Sequence, residues 1–335
     1  MTPRIPEATR VRGSTLLAVL LLIALSAAEA HAQQPAKVYQ IGYLIYGSPA
    51  SVAHRTEALR TGLRDLGYVE GKNISIVFRS AEVANRLPEA AADLVRLKVD
   101  VIFATSSTEV EATRQATKTI PVVFATHADP ERLGHVASLA RPGGNITGLS
   151  GVVTEIVTKE LEIMKQALPN MTRIGVLLQL TAPSHRPAWQ ALEAAAPRLG
   201  VQLLSVPVKT PDDLEGAFAT MTRERANGFL AVGSPLTRAQ RARLAELSLK
   251  HRLPGMFGSR ENVEAGGLMS YAADLVDSTR RAATYIDKIL KGARPADLPV
   301  EQASKYELVI NLKTANTLGI TIAPSILARA GQVIE

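Results

Sequence analysis

The sequence has no cysteine among its 335 residues and only 4% aromatics. The first absence excludes disulfides, a thiolate nucleophile and a lipid carried on a cysteine at a cleavage site, and with them the cysteine-pair racemases that also use two α/β lobes. Few rings and scattered Lys and Arg leave no basic stripe interleaved with stacking side chains, so no nucleic-acid partner is expected. The six histidines, His31, His54, His127, His135, His185 and His251, form no H-E-x-x-H and no i, i+4 pair. Neither a metal nor a cofactor is expected.

Catalytic motifs are missing too. Ser48, Ser106, Ser150 and Ser234 lack the glycine pair of a nucleophile elbow. Gly67-Tyr68-Val69-Glu70-Gly71-Lys72 has three residues where a phosphate loop needs four, and Asn73 stands where Ser or Thr should follow. His127 and Asp129 read as ligand contacts at a strand end rather than as an acid/base pair. An enzyme is therefore not expected.

Arg4, Arg10 and Arg12 precede an apolar run from Ser14 to Leu25, and small-x-small triplets end at Ala30 and Ala32. This is the layout of a signal peptide over residues 1–32, cleaved near Ala30 or Ala32; the alternative is a retained anchor, for which the run is short. Beyond it no apolar stretch approaches the length of a membrane span, so a soluble exported protein of the periplasm is expected. The formal charge is +7; the three Arg and two Glu of residues 1–32 take one unit with them and leave +6. Hydrophobic content of 46% with 21% charged residues describes a globular chain. About 300 residues favour two domains of roughly 150 each.

Strand-like runs at residues 39–47, 74–80, 99–105, 121–127 and 145–150 alternate with helical patterns at 51–66, 86–97, 108–117 and 130–140. Such alternation implies right-handed βαβ units and a parallel sheet covered on both faces. The pattern then restarts. Ile41-Gly42-Tyr43-Leu44 is echoed by Ile174-Gly175-Val176-Leu177, Leu66-Gly67 by Leu199-Gly200, and Ile120-Pro121 by Leu253-Pro254, all at one common offset. Three anchors at a single offset indicate a duplicated domain. Gly143, Gly144 and Gly148 close the first half and Gly266 and Gly267 the second; they serve either as a hinge or as tight turns. A helix over 274–290 is expected to return and cover the first lobe, and the tail carries a short strand and a helix over 311–318.

The expected strand ends are rich in small polar residues: Gly47-Ser48, Thr105-Ser106-Ser107-Thr108, Thr126-His127-Ala128-Asp129, Thr181-Ala182-Pro183-Ser184 and Gly233-Ser234-Pro235-Leu236-Thr237. Carboxyl ends of parallel strands line the ligand crevice, and helix amino ends there present N–H groups. Ser and Thr at these points either cap helices or bind a ligand, and both readings stand. Two such rims across a hinge describe a clamshell for a small polar ligand.

Leu63-Arg64-Asp65-Leu66-Gly67-Tyr68-Val69-Glu70-Gly71-Lys72-Asn73-Ile74, Ser138 to Leu149 and Glu264 to Tyr271, with Tyr285 to Gly292 and Glu307 to Ala315, resemble the ABC transporter substrate-binding proteins of the tryptophan/tyrosine type. The resemblance spans the chain after residue 32. It implies a type I periplasmic-binding-protein fold: two similar doubly wound α/β parallel-sheet lobes joined by a three-segment hinge, with residues 33–150 plus 273–298 in one lobe and 151–272 plus 299–335 in the other. It implies ligand contacts at Ser48, Ser106, Ser107, Thr108, Asp129, Ser184, Ser234 and Tyr271, to which the strand end adds Thr126. Departures from the family pattern fall in this pocket, at Gln179 to Pro183, at Ser234-Pro235 and at Thr126-His127-Ala128, and bear on the ligand rather than the fold.

The function expected is capture of a small polar solute, amino-acid-like or an organic anion, by hinge closure and delivery to an ABC permease and its ATPase. A ligand carboxylate would suit the helix amino ends and its amine Asp129. A monomer is expected. The alternatives are a periplasmic sensor domain signalling to a kinase or chemoreceptor and, third, a periplasmic enzyme.

Overall fold

Two runs of buried, β-rich sequence build two sheets in the computed structural model, which describes residues 37–335 except 152 and 304. The expected signal peptide and its cleavage site lie outside the described residues. In the first sheet β1 (Tyr39–Tyr46), β2 (Ile74–Ala81), β3 (Val101–Ser106), β4 (Val122–His127) and β5 (Ile146–Ser150) run parallel in the order β5-β4-β3-β1-β2. Every residue of β3 is buried, as a parallel strand covered on both faces requires. Side-chain alternation along β1 divides the layers. Ile41, Tyr43 and Ile45 face α1 (Ala53–Asp65), whereas Leu44 and Tyr46 face α2 (Leu87–Arg96) and α3 (Ser107–Ala116).

The second sheet repeats the plan. Here β6 (Arg173–Gln179), β7 (Gln202–Val208), β8 (Gly228–Ala231), β9 (Gly255–Phe257) and β10 (Met269–Ala273) take the order β10-β9-β8-β6-β7. Its helices are α4 (Val153–Ala167), α5 (His185–Leu199), α6 (Asp213–Arg223), α7 (Pro235–Ala239), α8 (Arg241–Lys250) and α9 (Arg260–Glu264). The common offset of the sequence echoes is thereby explained. Ile41 and Ile174 lie in β1 and β6, Gly67 and Gly200 follow α1 and α5 in the left-handed conformation, and Pro121 and Pro254 immediately precede β4 and β9.

After β10 the chain returns to the first lobe as α10 (Leu275–Leu290), whose apolar stripe packs on α1, as the sequence predicts. Asp274 caps it, accepting from the N–H groups of Val276 and Asp277 at 2.9 Å. Residues 299–302, assigned from sequence to the second lobe, instead follow the first sheet. Val300 N–H donates to Leu139 O at 2.7 Å, and β11 (Glu301–Gln302) pairs with β5. The open edge of β5 supplies the unpaired backbone groups that draw this segment in. The chain then crosses back into β12 (Tyr306–Asn311), antiparallel to β10, α11 (Leu312–Leu318), α12 (Pro324–Leu327) and β13 (Gln332–Ile334). The three crossings run side by side, with Ala303 N–H bonded to Ser150 O at 2.8 Å and Asp274 N–H to Lys305 O at 3.2 Å.

The helix expected over 130–140 does not form. Asp129 Oδ1 accepts from Arg132 N–H at 3.0 Å, Gly134 adopts φ +69°, and the N–H groups of His135 and Val136 both close on Pro130 O. The left-handed glycine ends the turn before an α-helix can propagate. Gly148, read as a hinge candidate, lies within β5 at φ +147°, where a Cβ would meet Phe124 O at 2.0 Å. Its role is the close approach of β4 at a register shift between Phe124 and His127.

Gly148→Ala should therefore cost about 2–4 kcal/mol in urea unfolding, whereas Gly144→Ala, which meets nothing within 4 Å, should stay within about 0.5 kcal/mol; equal effects would show that β4 and β5 yield freely. His185 opens α5 buried, its Nδ1 accepting from Gln179 N–H at 2.8 Å and its Nε2 facing Gly233 O at 3.4 Å. Burial holds the ring down to about 4. Since an unfolded histidine titrates near 6.5, the unfolded chain alone takes up this proton as pH falls from 7 to 5, and about 2 kcal/mol of stability is lost. In His185→Asn the difference between unfolding free energies at pH 7 and pH 5 should shrink by about that amount; an unchanged difference would mean that the native ring is protonated without cost.

Candidate functional site

The carboxyl ends of both sheets open onto one cleft of about 750 Å³, open solvent included. Ser106, Ser107, Thr108 and Thr126 reach it from the first lobe, Ser184 and Ser234 from the second. Their hydroxyls are not equivalent. Ser106 Oγ caps α3, accepting from Thr108 N–H at 3.3 Å and donating to the buried Glu109 carboxylate, to which Thr105 also donates at 2.8 Å. Ser234 and Thr237 form a reciprocal capping box at the start of α7. Thr126 donates to Thr105 O at 2.7 Å, and Ser107 Oγ accepts from Ala128 N–H at 2.9 Å. Thr108 and Ser184 have no side-chain hydrogen bond among the described residues, so one hydroxyl from each lobe faces the cleft uncommitted.

Three sequence-predicted positions lie elsewhere. Ser48 is exposed and caps the single turn Pro49–Val52, accepting from Ser51 N–H at 3.3 Å beside a separate depression. Asp129 borders another depression, its carboxylate spent on Arg132 N–H. Tyr271 packs toward the second core, because the register that pairs Ala273 with Tyr306 sets Tyr306 nearer the strand end, its ring stacked at 6.0 Å on Tyr271. Tyr306 is the ring that lines the cleft.

His127 forms part of the cleft wall and is fully buried. Its Nδ1 accepts from Asp129 N–H at 3.1 Å, leaving Nε2 to donate to His135 Nδ1 at 2.6 Å, and His135 Nε2 in turn lies 2.8 Å from Glu111 Oε2. Burial and the neighbouring His135 hold His127 well below the ordinary histidine range, so this relay is uncharged at the cleft. Arg114 and Gln115 anchor the far end, and the hydrogen bond from Arg114 foremost holds Glu111 down to about 2.

Two ionisable residues of the second lobe line the cleft that sequence reasoning did not single out. Arg238, on α7, is 9% exposed and has no ion pair within 4 Å among the described residues. Burial, then the charge of Arg55, lowers it to about 10. Glu160, on α4, is 1% exposed and neither carboxyl oxygen has a hydrogen-bond partner among the described residues. Its sequence signal is an acidic residue three positions after Val157 and four before Met164, on the helix's buried stripe. Arg238 carried a weaker one, a basic residue in the first turn of the helix that follows β8.

The lobes touch beside the cleft. Glu261 of α9 lies 3.0 Å from His54 Nε2 and 3.9 Å from Arg55 Nε, both on α1. Burial would raise Glu261, but the His54 hydrogen bond with the charges of Arg55 and Arg238 holds it well below the carboxylate range.

Among solved structures, a protein from Streptococcus pneumonia in complex with L-Trp superimposes with a TM-score of 0.81 at 28% identity, covering 89% of this chain and all of that one. A conserved domain protein from Vibrio cholerae gives a TM-score of 0.83 at 27% identity with the same coverage. The tyrosine-binding protein of Clostridioides difficile is 25% identical over 259 residues, 76% of this chain and 74% of that protein. No described helix is long and apolar enough to cross a membrane. Residues 45–334 match the ABC transporter substrate binding protein family throughout, and the chain belongs to that family.

Proposed function

We propose that the protein is the solute-binding component of an ABC importer in the periplasm, that it captures an amino acid between its lobes without chemical change, and that the closed form delivers it to the permease. The observation that carries this reading is Arg238, a guanidinium in the cleft wall with no ion pair within 4 Å among the described residues. Glu261 and Glu109 act on it only from beyond ion-pair distance, and a ligand carboxylate offsets the cost of burying a cation without a direct partner by accepting its N–H groups. The amino ends of α3 and α7 add partial positive charge from opposite lobes. Thr108 and Ser184 supply the remaining polar contacts, and Tyr306 with the apolar wall accommodates a side chain. The L-Trp and tyrosine of the relatives are consistent with a zwitterion carrying an aromatic side chain. Closure joins groups from the two lobes, and three adjacent crossings are the segments about which such a movement turns.

Calorimetric titration of the purified protein, unfolded and refolded to strip carried ligand, with L-tryptophan, L-tyrosine, L-leucine and their carboxamides tests this. The free acids should bind more tightly than the carboxamides, and Arg238→Gln should weaken acid binding by about 1.5–3 kcal/mol, roughly 10- to 150-fold, while erasing the preference. Equal affinity of the wild-type protein for acid and amide would remove the carboxylate reading.

A further inference from the structure

We infer that Glu160 is the residue that reads a positively charged amine on the solute. The inference rests on the reading of the cleft as an amino-acid site and adds the group that selects within it. Glu160 projects from α4 of the second lobe among Val157, Leu161 and Met164, and lines the same cleft as Arg238. At 1% exposure, with Oε2 shielded from solvent and neither oxygen hydrogen-bonded among the described residues, its carboxyl group has lost water without gaining a protein partner.

A side chain that served only the fold would not be placed so. Buried carboxylates that stabilise a structure are paired or accept several N–H or O–H groups, as Glu109 does from Thr105, Ser106 and the Tyr46 N–H. The same helix face is otherwise apolar, and a methionine or leucine would fill the position with no desolvation cost. What a lone buried carboxylate can do is accept hydrogen bonds from a cationic donor that enters the cleft. An ammonium group brings three N–H donors and the compensating charge. Burial pushes the lone Glu160 carboxyl well above its ordinary range, and an ammonium bound beside it favours the charged form; with Arg238 in the same wall, the cleft then carries one anion and one cation, matching the two charges of an α-amino acid. Asp129, which the sequence suggested for this role, is occupied at a turn outside the cleft.

The test compares pairs that differ only in the amine: L-tryptophan with indole-3-propionate, L-tyrosine with 3-(4-hydroxyphenyl)propionate, and L-leucine with 4-methylpentanoate. Titration calorimetry on the refolded wild-type protein should show the amine-bearing member preferred by at least about 100-fold, since its absence leaves a buried group unpaired. Glu160→Gln should narrow that preference to below about 10-fold. Glu162→Gln, on the outer face of α4 and paired with Lys159 at 3.0 Å, should leave it unchanged. Glu160→Met separates recognition from folding: the unliganded variant should unfold at a higher temperature than wild type while losing the amine preference. If amino acids bind and Glu160→Gln retains the full preference, or if Glu160→Met is less stable than wild type and still selective, Glu160 is not the amine reader although the amino-acid reading survives. If no amino acid binds and the des-amino acids do, the amino-acid reading fails, and this inference with it.

Discussion

Glu261 of the second lobe reaches across to His54 and Arg55 of the first, and the contact draws out of water charges that neither lobe would bury alone. Arg55, Glu109 and Arg238 are all buried around it. Two arginines and two glutamates balance in number, yet only some of their atoms find partners: among the described residues the Nε atoms of Arg55 and Arg238 and Oε2 of Glu261 have no hydrogen-bond partner. Such a cluster is held together by the juxtaposition of the lobes rather than by well-formed pairs, and a buried pair of this kind contributes little net stability. Its consequence is positional. Arg238 on α7 and Ser106 to Thr108 at the amino end of α3 line the same cleft beside it, which thus carries polar groups from both lobes.

The cleft is built from two different treatments of the same residue type. Ser106 and Ser234 spend their hydroxyls on helix starts, which rigidifies the walls and turns the amino ends of α3 and α7 toward the cleft. Thr108 and Ser184 line the cleft with no side-chain hydrogen bond among the described residues. Behind the first wall the relay from His127 through His135 to Glu111 satisfies every ring nitrogen without placing a charge at the surface of the cleft. The ionisable side chains that line the cleft from the second lobe are Arg238 and Glu160, and burial pushes the Glu160 carboxyl well above its ordinary range. Hydroxyls and helix amino ends thus line the cleft from both lobes, whereas its buried arginine and glutamate both belong to the second.

Most of the architecture was legible because it is written in local patterns. The alternation of apolar runs with helical periods, and its recurrence at one constant offset, led directly to two similar parallel-sheet lobes. The expectations that failed did so for two reasons. The helix expected over 130–140 lost to a glycine turn, residues 299–302 went to the edge of the other sheet, and Gly148 proved to mark the close approach of a neighbouring strand. The last two were decided by partners far along the chain. The family resemblance implied Ser48, Asp129 and Tyr271 as contacts, but local caps and the stacked Tyr306 hold them elsewhere.

By itself the sequence determined the lobes, their duplication and the polar strand ends from which a cleft is made, since periodicity and turn chemistry act over a few residues. Only the tertiary structure decided which hydroxyls remain available, and that a glutamate on an apolar stripe and an arginine without an ion pair share one cavity. Whether a charge is paired, and what it faces, depends on the helices and lobe brought against it, which no stretch of the chain specifies on its own.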